Sequence, residues 1–199
     1  MTTETLHHHD HHHDEVSSKV TFGFWTYIMT DFIMFAAMFA TYIVLRDATY
    51  GGIGIAQILN LPYDLTQTIV MLGIGLIYGL GFASAHHACK KGLVLMLILS
   101  LILGFIFLGL QHREFAHIFA LGYSWKSSAF LSAYFTLMTL FCLHLIVGMF
   151  WTVVLLVQLG MQGLTSTLHT RFTCLGIFWN FLTIVWIIAF TIVYLMGAI

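Results

Sequence analysis

Long apolar runs alternate with short polar segments along this chain of 199 residues. Each of the five runs is long enough for the ~20 residues with which a helix crosses a bilayer. They cover residues 22–45, 65–88, 92–112, 128–158 and 173–197. The fourth run is long, so we expect it to tilt or to emerge from the bilayer at one end. The pattern predicts an all-α integral membrane bundle of five transmembrane helices.

A polar segment, residues 1–21, precedes the first apolar run and contains no apolar stretch of the kind that a cleaved signal peptide carries. We predict a disordered tail here, followed by a transmembrane domain over residues 22–199. Six histidines in the tail, interrupted by Asp10, are able to bind a transition metal through neutral imidazoles. The alternatives are a plain hydrophilic tail or a purification tag, and the interruption by Asp10 argues against the tag.

Composition excludes two broad classes of protein. The chain is 60% hydrophobic and 8% charged, which leaves too few polar side chains to cover a soluble domain. The formal net charge of −1 provides no basic face for nucleic acid. Cys89, Cys142 and Cys174 are scattered without a CxxC spacing, so they predict apolar packing and not a disulfide framework or a thiolate metal site.

The basic residues predict an orientation in the membrane. Five spans place the two termini on opposite sides. Lys19, Lys90, Lys91 and Arg171 lie on the N-terminal side, and Arg46, Arg113 and Lys126 lie on the other. Because cytoplasmic loops carry the excess of Lys and Arg, we expect a cytoplasmic N-terminus and a periplasmic C-terminus.

The second span carries a stripe of small residues. Gly75 and Gly79 form a GxxxG pair that Ala83 continues by one further turn. Such spacing lets the backbones of two membrane helices approach closely. Both close packing within one bundle and a contact between subunits fit this pattern.

Asp31 lies in the middle of the first span, within TYIMTDFIMF. A charged Asp at the centre of a membrane helix costs roughly 2.5–3.5 kcal/mol on insertion scales. Desolvation favours the neutral, hydrogen-bonding form of the acid. Three roles fit the position: a structural hydrogen bond to another helix, membership of a proton relay, or contact with a lipid head group or a partner subunit.

Further ionisable groups lie at or near membrane depth. Glu114 follows Arg113 at the end of the third span, His86 and His87 close the second, and His144 lies inside the fourth. A haem held by two histidines needs both at matched depth, which His144 and His87 do not offer, so His144 is interpreted as a packing residue. The chain carries no HExxH, GxSxG or phosphate-loop motif.

Several segments taken together resemble subunit III of the haem–copper terminal oxidases, in the five-helix form found in cytochrome bo-type ubiquinol oxidases. The resemblance covers the chain after the tail, and the His-rich tail also resembles that branch. The matching residues are Phe24-Trp25 with Thr30-Asp31-Phe32, Ala85-His86-His87, Gln111 with Glu114, His144 with Gly148, the closing FWNFLTIVWIIAFTIVYLMGAI, and GLTST at residues 163–167.

The chain departs from the family pattern at three positions. Phe141 replaces a histidine that the family usually has, while Asn180 and Thr183 replace the His and Asp of its WHFxD segment. Asn180 and Thr183 are able to hydrogen-bond but not to titrate. A role of that ionisable pair therefore does not carry over to this chain.

The resemblance implies an accessory subunit with no catalytic, metal-binding or cofactor-binding residue of its own. Haem and copper would belong to a large catalytic subunit I, packed beside this chain in a bacterial inner membrane together with subunits II and IV. Phospholipid would bind between helices, and the complex would oxidise quinol, reduce oxygen and pump protons. Asp31 matches the family's carbodiimide-reactive carboxyl. Candidate lipid or proton-path residues are Asp31, His87, Glu114 and His144; candidate packing residues are Gly75, Gly79, Ala83 and Gly148.

Three other functions remain open at this stage. A small proton-coupled transporter would use Asp31 and Glu114 as its relay, although five helices without an internal repeat do not favour it. A haem-binding membrane cytochrome and the accessory subunit of a nitric-oxide reductase are the other two.

Overall fold

The computed structural model describes residues 4–51, 54, 61–84, 90–163 and 165–195, and these described parts of the chain are helical apart from short connections. The helices are α1 (Glu4–Leu45), α2 (Leu61–Ser84), α3 (Lys90–Ala120), α4 (Ala129–Gln162) and α5 (Ser166–Ala189), with a π-helical segment (Phe190–Leu195) directly after α5. The all-α prediction is confirmed.

Five helical stretches in the described residues are long and apolar enough to cross a membrane, as predicted. They run over Ser18–Leu45, Pro62–Leu80, Lys90–Ala120, Ala129–Met161 and Thr167–Leu195. The third continues well beyond residue 112, where its prediction ended. Glu114 in that extension is buried against the rest of the chain, while Arg113 and His117 are exposed, and the helix continues through all three residues.

Helix α1 begins at Glu4, so it extends from the first span into the polar segment. That this segment is a disordered tail stays a prediction. No glycine or proline interrupts residues 4–22. Extending an existing helix requires no new nucleus, and this favours continuation of the first span backwards into the polar segment. The side chains of the six histidines lie outside the described part of the structure, so metal binding by the tail stays a prediction.

Two helices begin at side-chain caps. Ser128 precedes α4 and its hydroxyl accepts a hydrogen bond from the Leu131 amide at 3.2 Å. Thr165 does the same for α5 by accepting from the Leu168 amide at 3.3 Å. Each bond satisfies an amide that the first helical turn leaves without a partner. These caps fix where the fourth and fifth helices start.

Helix α5 is the central element of the bundle. It packs against α1, α2 and α4, while α3 contacts α2 and α4. Over its most apolar stretch 56% of the residues are buried inside the protein, against 22–33% for the other four spans. Trp179, Leu182 and Trp186 are completely buried along it. The other helices therefore assemble around α5 and direct more of their apolar surface towards the membrane.

Close helix contacts occur at two of the predicted packing glycines. A Cβ atom at Gly75 would lie 2.8 Å from Thr183 Oγ1, and one at Gly148 would lie 2.8 Å from Phe178 Cε1. At Gly79 a Cβ would have no described atom within 4 Å. The side chain of Ala83 lies outside the described residues. Close approach to α5 thus depends on Gly75 and Gly148, and Gly79 faces outwards.

Gly75→Ala should destabilise the isolated chain in detergent by about 1–3 kcal/mol, because the added methyl group overpacks the contact with Thr183. Gly79→Ala, one turn further along the same helix, is the matched control. It should leave stability unchanged or raise it, since alanine favours a helix by about 0.5–1 kcal/mol over glycine. Thermal unfolding followed by circular dichroism measures both, and equal losses would contradict the assignment of the contact to Gly75.

Candidate functional site

The structure brings together Asp31 of α1 and His144 of α4, two residues that lie far apart in the sequence. The distance from Asp31 Oδ2 to His144 Nε2 is 3.7 Å. Both side chains are nearly buried, with exposed fractions of 10% and 12%. Phe35, one turn after Asp31, packs edge-on against the imidazole with ring centroids 5.1 Å apart. The histidine that was interpreted as a lone packing residue is therefore the neighbour of the buried acid.

The hydrogen bonding of His144 defines which ring nitrogen faces Asp31. Its Nδ1 lies 2.8 Å from the backbone oxygen of Leu140, so this nitrogen donates its proton to that carbonyl. Nε2 then faces the carboxyl group of Asp31. One further proton, on the acid or on Nε2, makes the pair electrically neutral as a unit. Neutrality reduces the cost of placing Asp31 in the membrane interior.

Glu114 of α3 is surrounded by four hydrogen-bond donors. The amides of Gln67 and Gln111 donate to its Oε2 at 3.0 Å and 3.1 Å. The phenols of Tyr134 and Tyr194 donate to its Oε1 at 2.5 Å and 3.0 Å. All four donor residues are at most 1% exposed, and Glu114 is 9% exposed. Residues of α2, α3, α4 and the π-helical segment therefore meet at one carboxyl group.

This arrangement matches an ionised carboxylate, which only accepts hydrogen bonds and has room for about four donors. The amide oxygens of Gln67 and Gln111 have no donor among the described residues, because both amide nitrogens are directed towards Glu114. The two glutamines thus satisfy the carboxylate of Glu114 while their own amide oxygens stay without a donor. Hydrogen bonds to a charged group contribute about 1.5–3 kcal/mol each, against about 1 kcal/mol for neutral pairs.

The two carboxyl groups occupy different depths. Asp31 lies thirteen residues after Ser18 and fourteen before Leu45, near the middle of the first span. Glu114 lies six residues before the end of α3 at Ala120, or about 9 Å at 1.5 Å per residue. Each has its own partners, and no contact joins them among the described residues. The structure does not assemble them into a single relay.

A third polar cluster was missed in the sequence. Tyr78 OH lies 3.0 Å from Ser100 Oγ and 3.3 Å from Thr152 Oγ1, and Trp179 Nε1 donates to Thr152 Oγ1 at 3.3 Å. The rings of Tyr78 and Trp179 stack with centroids 5.6 Å apart. Neutral Ser, Thr, Tyr and Trp side chains are common in membrane helices, so only their juxtaposition identifies the cluster.

Other candidate residues have separate locations. His87 lies within residues 85–89, outside the described part of the structure, so its role stays a prediction. Cys142 and Cys174 are free thiols, and Cys174 is buried. The described residues contain no group of three or more His, Cys, Asp or Glu side chains arranged to bind a metal.

Glu114→Gln should destabilise the chain by about 1–3 kcal/mol, because an amide nitrogen would replace one acceptor oxygen and face the hydrogen-bond donors of the neighbouring side chains. Tyr194→Phe should also destabilise the chain, by about 1.5–3 kcal/mol, because it removes one hydrogen bond to the charged carboxylate. Denaturant or thermal unfolding in detergent measures both effects. Tyr50→Phe is the control because Tyr50 is 85% exposed. If Glu114→Gln matched that control in stability, the structural role of the carboxylate would be wrong.

Comparison with known proteins gives a match over nearly the whole chain. The family model of cytochrome c oxidase subunit III matches residues 1–198. A Pseudomonas aeruginosa protein named cytochrome bo(3) ubiquinol oxidase subunit 3 is 45% identical over 196 residues, which cover 98% of this chain and 93% of that protein.

More distant relatives carry similar names. A Pseudomonas putida protein named cytochrome bo(3) ubiquinol oxidase subunit 3 is 36% identical over 89% of this chain and 86% of its own length. A Bacillus subtilis protein named quinol oxidase subunit 3 is 33% identical over 88% of this chain and 86% of its own. The resemblance found in the sequence is confirmed, and this multi-pass membrane protein belongs to the cytochrome c oxidase subunit III family.

Proposed function

We propose that this chain is the accessory, non-redox subunit III of a cytochrome bo-type ubiquinol oxidase. The observation that carries the proposal is the 45% identity, over 98% of the chain, to the Pseudomonas aeruginosa protein of that name. Haem and copper belong to a large catalytic subunit I, and subunits II and IV complete the complex. The complex oxidises ubiquinol, reduces oxygen to water and pumps protons. Its location is the bacterial inner membrane, with the N-terminus of this chain in the cytoplasm.

The internal contacts of the bundle support a structural contribution to the complex. Glu114 joins four elements through four hydrogen bonds, and this stiffens one end of the bundle. The ends of α3 and of the π-helical segment and the starts of α2 and α4 meet there. In the proposed orientation this is the periplasmic end. A rigid bundle offers neighbouring subunits a fixed surface and supports assembly.

Asp31 and His144 are the residues through which we expect this subunit to act on proton uptake. Their Oδ2 and Nε2 atoms lie 3.7 Å apart at mid-membrane, close to the protein surface. Tyr27, one turn before Asp31 on the same face of α1, is 47% exposed, so phospholipid is able to lie beside the pair there. We propose that the neutral pair and its lipid stabilise the catalytic subunit during turnover.

Purification of the native complex tests the function. The complex is extracted in mild detergent and purified through an affinity tag on this chain. Its visible spectrum and the masses of its subunits are then recorded. We expect haem in stoichiometric amount together with a large membrane subunit. A colourless, solitary chain would contradict the proposal. Proton flux through liposomes that contain only that chain would then identify the transporter alternative.

A lipophilic carbodiimide tests the roles of the two carboxyl groups, since it reacts with protonated carboxyls. We expect it to modify Asp31, because a carboxyl at mid-membrane favours the protonated form and this one lies near the protein surface. Glu114 should remain unmodified because four donors hold its carboxylate. Peptide mass spectrometry locates the adduct. Asp31→Asn is the control that should abolish labelling, and an adduct on Glu114 alone would reverse the two assignments.

A further inference from the structure

An open groove of about 580 Å³ runs between α2 and α5 on the surface that the spans present to the membrane. Its apolar walls include Ile69 and Leu76 from α2 and Ile184 from α5, which are 68%, 62% and 52% exposed. Asn180 and Thr183 of α5 also line it. The groove thus combines large exposed apolar side chains with two polar ones.

Asn180 is the polar group in the groove that the described residues leave unsatisfied. The Thr183 hydroxyl donates to the Trp179 carbonyl at 2.9 Å, whereas the exposed Asn180 carboxamide has no hydrogen-bond partner among the described residues. A carboxamide in hydrocarbon carries a substantial free-energy penalty unless its N–H and C=O groups are bonded. A group outside the described part of the chain must therefore supply the partner.

The depth of Asn180 determines which molecule is able to supply it. The residue lies thirteen positions after Thr167 and fifteen before Leu195, about 20 Å from either end of the span. The hydrocarbon core is about 30 Å thick, so lipid head groups lie well away from this depth. Acyl chains reach Asn180 but form no hydrogen bonds. A phospholipid in the groove would leave the amide unsatisfied.

The shape of the groove favours a helix over a small molecule. Ligand sites bury about 70–90% of the ligand's surface, whereas this groove has two walls and an open side. A third helix would form the missing wall. Gly79, three residues beyond Leu76, has no described atom within 4 Å of its Cβ position, and this leaves room for another backbone.

We propose that the α2–α5 groove holds a transmembrane helix of another subunit of the same complex, and that this helix presents a Ser, Thr, Asn or Gln side chain to Asn180. The proposal rests on the assignment of the chain to a multi-subunit oxidase. It adds the surface, the depth and the chemistry of one subunit contact. The contact buries the exposed apolar walls and satisfies the amide in one step.

Photo-cross-linking in native membranes tests the location. A photoreactive residue at Ile69 should join this chain to another subunit of the oxidase, and peptide mapping should place the adduct in a transmembrane segment beside a hydrogen-bonding residue. Leu95 of α3 is the matched control position, since it is 67% exposed and lies outside the groove. Adducts with lipid alone, with a second copy of this chain, or with the same segment from both positions would overturn the proposal.

Substitution of Asn180 tests the hydrogen bond. Asn180→Leu should lower the retention of the cross-linked subunit during a detergent wash by about three- to tenfold, the range expected for one interhelical hydrogen bond in a membrane. Asn180→Gln, which keeps the amide, should restore most of it. The chain itself should still fold, because Asn180 makes no hydrogen bond within its described part. Unchanged retention in Asn180→Leu would overturn the role of the amide.

Failure of this proposal differs from failure of the proposed function. A wild-type preparation without haem and a large subunit would contradict the oxidase assignment itself. A wild-type preparation with both, but with cross-links from Ile69 to lipid alone, would contradict only the helix in the groove.

Discussion

The hydrocarbon interior of a membrane offers no hydrogen bonds, so every polar group in a span must find its partner within the protein. Among the described residues three separate clusters bring many of these groups together, although the amide oxygens of Gln67 and Gln111 and the exposed Asn180 are left without a partner. Asp31 faces His144, Glu114 accepts from four donors, and Thr152 links a tyrosine, a tryptophan and its own helix. Each cluster connects helices that are distant in sequence. The need to satisfy polar groups therefore also decides which helices pack together.

Helix α5 and the π-helical segment after it show how hydrogen bonds between polar groups join one helix to its neighbours. Trp179 donates to Thr152 of α4, Trp186 donates to Thr68 of α2 at 3.2 Å, and Tyr194 donates to Glu114 of α3. Each of these aromatic side chains is at most 1% exposed. Large rings fill the space around the central helix, and their single N–H or O–H groups fix its rotation and depth. Packing and hydrogen bonding reinforce each other because they use the same side chains.

The distribution of charge fits a subunit that supports chemistry carried out elsewhere. The Glu114 carboxylate is held by four neutral donors at one end of the bundle, where it joins elements. The Asp31–His144 pair lies at mid-membrane near the surface, with Oδ2 and Nε2 3.7 Å apart. The separate partners and depths of these groups agree with local structural tasks. Asn180 differs because its amide is exposed in a groove, which makes it the polar group most dependent on a neighbouring protein.

The sequence alone determined that the chain lies in a membrane, where its spanning helices are and to which family it belongs. Runs of about 20 apolar residues dictate spanning helices because an unpaired backbone cannot exist in lipid, and ordered motifs such as Thr30-Asp31-Phe32 indicated the family. Tertiary structure decided the partners, since periodicity does not specify which helix faces Asp31 or which four donors surround Glu114. It also separated Gly75 from Gly79, which share one GxxxG pattern but differ in contact, because Thr183 of α5 reaches only the first. Spacing sets which residues share a face of one helix, and only the packed bundle determines what that face meets.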